Sequence, residues 1–387
     1  MIPLDLNAFM RRWCILGYIV TKLLSAFIRQ TIIHQQTFYY SCNEKIYTTF
    51  KSQWFNVVTM SIAMILATPF SLINGGTKAI KKLFQLPMKF LLLILVCSFC
   101  DITQCFTNGR MLIIGGLSFS SLLEILTIIC MIFFRRIFLK KSMYGYMWIS
   151  VGLCFLAIVS LTLSQVLSSS SSSLKPAVLF VNLFLSLFSV LLISTQYIIQ
   201  EYVIHNSDIE PEILVGTIGL GDFVIMMFII YPFVYFVKDN EYFTIHESFC
   251  QVFEMFIHSK SLIFSYFIYI LIIVILNMSF VKLILYTNSI YAIMYDMLGE
   301  GCKNLIEIIR DLTPGFPFRV EKTKKALVYS IAFNSVSMVL IISALMFLTE
   351  LIKIPGFDYP EPEKFLIPNN RYVTQTDLGK NEKEHVV

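Results

Sequence analysis

Four carboxylates sit inside stretches that otherwise read as lipid-spanning: Asp101, Glu124, Asp222 and Asp296. An acid near the centre of a bilayer costs roughly 2.5–3.5 kcal/mol on insertion scales, so such residues turn toward a protein interior or a wet cavity. There a carboxyl group can exchange a proton or offset a charge on a solute. Polar neighbours fall in register with these acids. Asp101, Gln104, Cys105 and Asn108 are spaced i, i+3, i+4 and i+7, which places them on one helical stripe. Ser120, Glu124 and Thr127 share a face, and Asn182, Ser186, Ser189, Gln196 and Gln200 form another stripe, interrupted only by Ile193. Tyr266 and Asn277, and then Ser330, Asn334 and Ser337, continue the pattern toward the C-terminus.

Hydrocarbon cannot satisfy these groups, so the stripes are expected to face inward. The Ser and Thr positions suit hydrogen bonds between helices. Asn182, Gln196 and Asn277 suit either that role or contact with a ligand, whereas Asp101 and Glu124 are better explained by a cavity or a coupled proton. Asp222 follows Gly216, Gly219 and Gly221, whose spacing favours close approach of two helices over an interrupted span. Asp296 lies one turn from Glu300, with Lys303 beyond, a pattern compatible with a surface ion pair. Lys22 and Arg29 can pair with the acids or snorkel, and Arg29, read as near a helix end, is expected to snorkel.

The elements that must hold these groups are membrane helices. Hydrophobic residues make up 57% of the 387-residue chain and charged residues 14%. That is too little charge to cover a soluble domain, so the bulk solvent is lipid. Windows of about 20 apolar residues predict roughly ten spans near 13–33, 56–74, 90–107, 111–134, 144–167, 176–200, 213–237, 261–282, 284–304 and 326–352. Lys78, Lys81, Lys82 and Lys89 lie between spans two and three, and Arg135, Arg136, Lys140 and Lys141 between spans four and five. By parity both loops share a side with Arg11 and Arg12. The positive-inside rule makes that side cytosolic and puts both termini there. The basic segment Arg310–Lys325 dissents and is outvoted. No small-residue cleavage site follows Arg11-Arg12, so the first span reads as an uncleaved anchor.

Ser168–Ser173 divides the chain. Residues 1–167 and 176–354 each hold about five spans, an odd number that sets the halves in opposite orientation, as in an inverted repeat. Residues 168–175 form a serine-rich linker on the non-cytosolic side, and residues 355–387 read as a disordered cytosolic tail. Most of the nine cysteines lie in apolar runs and read as small hydrophobes. Cys42 and Cys250 fall in loops on the non-cytosolic side, where oxidation is allowed, and a disulfide between them is expected.

Several classes are argued against. There is no G-x-x-x-x-G-K-[ST] loop, no H-E-x-x-H and no G-x-S-x-G elbow, and the five histidines are scattered. The expectation is a protein that is not an enzyme and that uses no metal or cofactor. A net charge of +5 with no basic stripe gives no case for nucleic acid.

Dispersed segments carry a resemblance. Gln196-Tyr-Ile-Ile-Gln-Glu201, Ile209-Glu-Pro211, Val215-Gly-Thr-Ile-Gly219 and Glu247-Ser-Phe-Cys-Gln251, with Asp101, Asn277 and Asp296, resemble the drug/metabolite transporter superfamily. Within it they are most similar to the solute carrier family 35 branch that includes nucleotide-sugar transporters. Distantly, the plan also resembles chloroquine-resistance-type transporters. The resemblance implies a ten-helix inverted-repeat carrier in an endomembrane (Golgi, endosomal, or lysosomal and vacuolar), working by alternating access. Where that branch carries arginines in its fourth and ninth spans, this chain has Leu126 and Ala292. That departure shifts the expected cargo toward a neutral or cationic solute.

The expectation is therefore a secondary-active transporter of a small polar solute, with protons as candidate coupling ions and spans three, four, eight and nine as its core. Its candidate binding residues are Asp101, Gln104, Asn108, Glu124, Asn182, Gln196, Asn277 and Asp296. A nucleotide-sugar antiporter using Arg110, Lys22 and Lys282 is the rival within transport. A non-transporting scaffold or receptor that kept the fold is the rival from another class, and a homodimer is left open.

Overall fold

A computed structural model of the chain describes residues 6–35, 40–42, 45–47, 54–75, 83–139, 144–168, 176–207, 209–237, 249–286 and 324–348, together with scattered positions between them. Its elements are α1 (Leu6–Gln35), the strands β1 (Tyr40–Cys42) and β2 (Lys45–Tyr47), α2 (Trp54–Ile65), α3 (Thr68–Gly75), α4 (Met88–Phe138), α5 (Gly145–Ser168), α6 (Pro176–Asn206), α7 (Pro211–Ile225), a π-helical turn (Met226–Ile230), α8 (Tyr231–Phe236), α9 (Phe249–His258), α10 (Lys260–Tyr286) and α11 (Lys324–Leu348). β1 and β2 pair as a small antiparallel hairpin, and the rest of the described architecture is helical.

The protein is a multi-pass membrane protein. Among the described residues seven helical stretches are long and apolar enough to cross a bilayer: Trp54–Ser71, Met88–Asn108, Gly145–Ser164, Leu187–Asn206, Pro211–Phe236, Lys260–Tyr286 and Leu327–Phe347. Outward-facing residues agree. Phe228 is 76% exposed, Phe236 80% and Val339 63%, while Asp222 is 1% exposed, an inversion that only a hydrocarbon solvent rewards. α1 carries Arg11, Arg12, Lys22 and Arg29 and is the more polar helix, yet it packs antiparallel along α10.

Local sequence explains the breaks. Pro69 has no amide hydrogen and its ring crowds the carbonyl of Ile65, so the expected single span 56–74 is split into α2 and α3. Pro232 does the same to Phe228, and the helix widens into the π-turn before resuming as α8.

Helical hydrogen bonding runs without a break through α4, where two spans were expected, but the chain reverses within it. The Gln196 side chain donates to Asp101 at 3.0 Å, and the Ser194 hydroxyl donates to the carbonyl of Thr127 at 3.3 Å. On a straight helix Asp101 and Thr127 would stand about 39 Å apart, so they could not both reach one turn of α6. The first pass of α4 therefore runs antiparallel to α6 and the second pass parallel to it. Lys89 meets Tyr202 and Arg135 meets Glu201, which puts the two basic clusters at the same end of the bundle.

Lipid gives little hydrophobic drive for helices to associate, so close packing and polar bonds must supply it. The three glycines before Asp222 serve that end. A Cβ on Gly219 would lie 2.5 Å from Cβ of Met64 and 2.9 Å from the carbonyl oxygen of Ser61, so only glycine lets α7 rest on α2 there. Gly216 faces Thr68, and Gly221 faces Ser98, whose hydroxyl donates to the carbonyl of Ile218 at 2.9 Å.

Candidate functional site

Six helices converge on one internal cavity of about 150 Å³. α1 contributes Tyr18, Lys22, Ser25 and Arg29, and the first pass of α4 contributes Asp101, Gln104 and Asn108. α6 adds Gln196, Tyr197 and Gln200, and α10 adds Tyr269 and Asn277. Met60 and Met64 of α2 and Val215 and Ile218 of α7 close the remaining apolar wall. The expected core of spans three, four, eight and nine is corrected in part. Spans three and eight line the space, but the described residues of the second pass of α4 do not, and spans one, two, six and seven supply the other walls.

Five of the candidate residues therefore share one cavity: Asp101, Gln104, Asn108, Gln196 and Asn277. Asp296 is 6% exposed and sits behind the wall, where it accepts from both Tyr18 and Lys22. A surface ion pair was a live reading for Asp296; it is instead a buried partner of α1. The side chains of Glu124, Asn182 and Cys42 lie outside the described residues. Cys250 is disulfide-bonded, and β1, which holds Cys42, packs against α9, which holds Cys250.

Arg29 corrects the sequence reading most sharply. α1 continues to Gln35, so Arg29 is not at a helix end and does not snorkel. Its guanidinium faces the cavity and donates to the carbonyl of Cys105 at 3.4 Å, while its Nε has no partner. The signal was present in the spacing: Tyr18, Lys22, Ser25 and Arg29 recur at i, i+4, i+7 and i+11, a polar stripe like the one on α4.

Further buried polar atoms on the walls also lack partners: Oε1 of Gln196, Oε1 of Gln200 and Nδ2 of Asn277. Buried polar atoms are nearly always bonded, and unsatisfied ones mark water, an ion or a ligand. Asp101 accepts from Gln196 at Oδ1 and from the Cys105 thiol at Oδ2, and the buried carboxyl of Asp222 from α7 is its neighbour. A bond between two carboxyl groups requires one of them to hold a proton. Asp222 is thus both packed by its glycines and part of the acid cluster. Among the described residues no group of His, Cys, Asp and Glu is arranged to hold a metal ion.

The sequence matches no protein-family model, and no curated protein matches it.

Proposed function

We propose that the protein is a secondary transporter that binds a small polar solute in this cavity and moves it by alternating access. The observation that carries the reading is the set of unpartnered polar atoms on Arg29, Gln196, Gln200 and Asn277, residues that line one cavity between helices from both halves of the chain.

The contacts support a ten-helix inverted repeat. If span n corresponds to span n+5, exchanging the halves turns the α1–α10 contact into the contact of α6 with the first pass of α4, and both are present. The α2–α7 and α5–α11 contacts each map onto themselves, and both are present. Such symmetry lets one half rock against the other about a central site. The proposed branch remains solute carrier family 35 within the drug/metabolite transporter superfamily, with an endomembrane address and the basic end cytosolic. The Asp101–Asp222 pair makes protons the favoured coupling ion.

A cavity of about 150 Å³ holds the volume of roughly five waters, or a molecule the size of benzene, which favours a compact cargo. A nucleotide sugar is several times larger. It stays as a second reading because Arg29 and Lys22 both reach the cavity and could meet a diphosphate.

Purified protein in proteoliposomes should exchange a compact polar solute against its labelled form, faster with a pH gradient than without. Gln196→Ala with Asn277→Ala should lower that exchange about tenfold or more, since two bonds to the solute are lost. Absence of flux for every solute tried, from protein that remains folded, would remove the transporter reading and leave the scaffold.

A further inference from the structure

The cavity holds two charges of opposite sign that do not meet each other. Among the described residues no carboxylate pairs with Arg29: the ion pairs present join Lys22 to Asp296, Arg135 to Glu201 and Lys282 to Glu212. The guanidinium is held by a neutral carbonyl at 3.4 Å and keeps an unused N–H on Nε. In the same lining, Asp101 is held by a neutral amide and a thiol, with no cation among those partners. With one proton between them, Asp101 and Asp222 would carry a single negative charge as a pair. Lys22 is already matched by Asp296, so the remaining charges of the site are one positive and one negative.

Inside a helical bundle each of these is stabilised by an opposite charge, and among the described residues no ion pair joins them to one another. Arg29 is anchored at the carbonyl of Cys105, one helical turn along α4 from Asp101, and both residues line the same cavity. Neutral groups of the same lining add hydrogen-bonding capacity, with Gln196 and Gln200 offering acceptors and Asn277 a donor.

We infer that the cargo is a compact zwitterion, its anionic group held by Arg29 and its cationic group by Asp101. The inference rests on the transporter reading for flux but not for binding. It is stricter than a neutral or cationic cargo, because a plain cation leaves Arg29 unmatched and a plain anion leaves Asp101 unmatched. A net-neutral solute also enters without changing the charge of the site.

The test uses full-length protein and three matched sets of probes: the common α-amino acids, their C-terminal amides, and their N-acetyl derivatives. Thermal stabilisation of the detergent-purified protein reads binding, and uptake into proteoliposomes reads transport. At least one amino acid should bind about tenfold or more tightly than both its amide and its N-acetyl form, the scale of one lost charge-assisted bond. Arg29→Gln should erase the preference for the free carboxylate while keeping that for the free amine, and Asp101→Asn should do the reverse. Arg29→Lys, which keeps the charge, should retain the carboxylate preference and controls for misfolding. An amide or N-acetyl form that binds as well as its parent overturns the inference. Transport of some other solute with no such discrimination also overturns it and leaves the transporter reading standing. Zwitterion-selective binding without flux supports it and removes the transporter reading instead.

Discussion

The two ends of the bundle are tied by different chemistry. At the basic end the links are ion pairs between helices. Arg135 of α4 meets Glu201 of α6 at 3.2 Å, and Lys282 of α10 meets Glu212 of α7 at 2.7 Å. Glu201 also accepts from the amide and hydroxyl of Ser289. At the opposite end the organising group is the carboxylate of Glu247. It accepts from the Ser52 hydroxyl, the backbone amides of Trp54 and Phe55 at the start of α2, and the Tyr231 hydroxyl. Stacked rings surround it, Trp54 on Phe106 at 4.0 Å and Tyr231 on Phe249 at 4.3 Å. One end is thus held by opposite charges on different helices. The other is held by a negative charge placed where a helix N-terminus offers free N–H groups and the positive end of its dipole. The proposed carrier, which would open each end in turn, would then have two latches that can be weakened separately.

The largest effect should come from cutting the basic latch on one side only. Arg135→Leu leaves Glu201, 3% exposed, charged and without its guanidinium, a loss of about 3–5 kcal/mol. Thermal unfolding in detergent should shift down markedly, and Arg135→Leu with Glu201→Leu should recover much of the loss, because the orphaned charge is gone. A single variant as stable as the parent would mean that this end is closed by packing alone, and the contrast between the ends would vanish.

A smaller effect is expected at the other latch. Glu247→Gln keeps an acceptor oxygen but turns an amide NH₂ toward groups that are themselves donors. Bonds to a charged group contribute roughly 1.5–3 kcal/mol, so the loss should be about 2 kcal/mol in total. It should also be local: the first turn of α2 should exchange its amide hydrogens faster, while α6 and the second pass of α4 stay protected. Fast exchange spread evenly over both ends would show that Glu247 caps no particular helix.

The two latches were unequally legible in the sequence. The stripe Asp101, Gln104, Asn108 and the partners Gln196 and Asn277 could be read because a polar residue inside an apolar window has few other places to face. The reversal within α4 could also be read, since two apolar windows flank Asn108-Gly109 although helical hydrogen bonding does not stop there. Arg29 was misplaced because apolar windows do not show where α1 ends, and two further turns separate it from Gln35. Asp296 looked like half of a local pair with Glu300, since sequence spacing shows neighbours on one helix but not Lys22 on another. Glu247 stood only within a stretch that carried a resemblance, since a carboxylate that caps a helix nearly 200 positions away leaves no local pattern. The proposed halves were suggested by the parity of five spans, whereas the contacts between them became visible only in three dimensions.

The smallest effect tests whether the non-basic end has any tie independent of Glu247. Tyr266 of α10 donates to Oδ1 of Asn56 at 2.6 Å, and Asn56 in turn donates to the carbonyl of Ser52 at 2.7 Å. Tyr266→Phe removes one neutral bond and leaves a buried amide oxygen short of a donor, while the ring keeps its edge contacts with Phe55 and Phe256. The expected loss is about 1 kcal/mol, seen as a small fall in the unfolding midpoint. Combined with Glu247→Gln, the losses should fail to add, because Ser52 and Phe55 belong to both networks. Combined with Arg135→Leu they should add, because the two sites lie at opposite ends of the bundle and share no partner. Additivity in the first pair would separate Asn56 from the Glu247 cap, and coupling in the second would join the two latches into one.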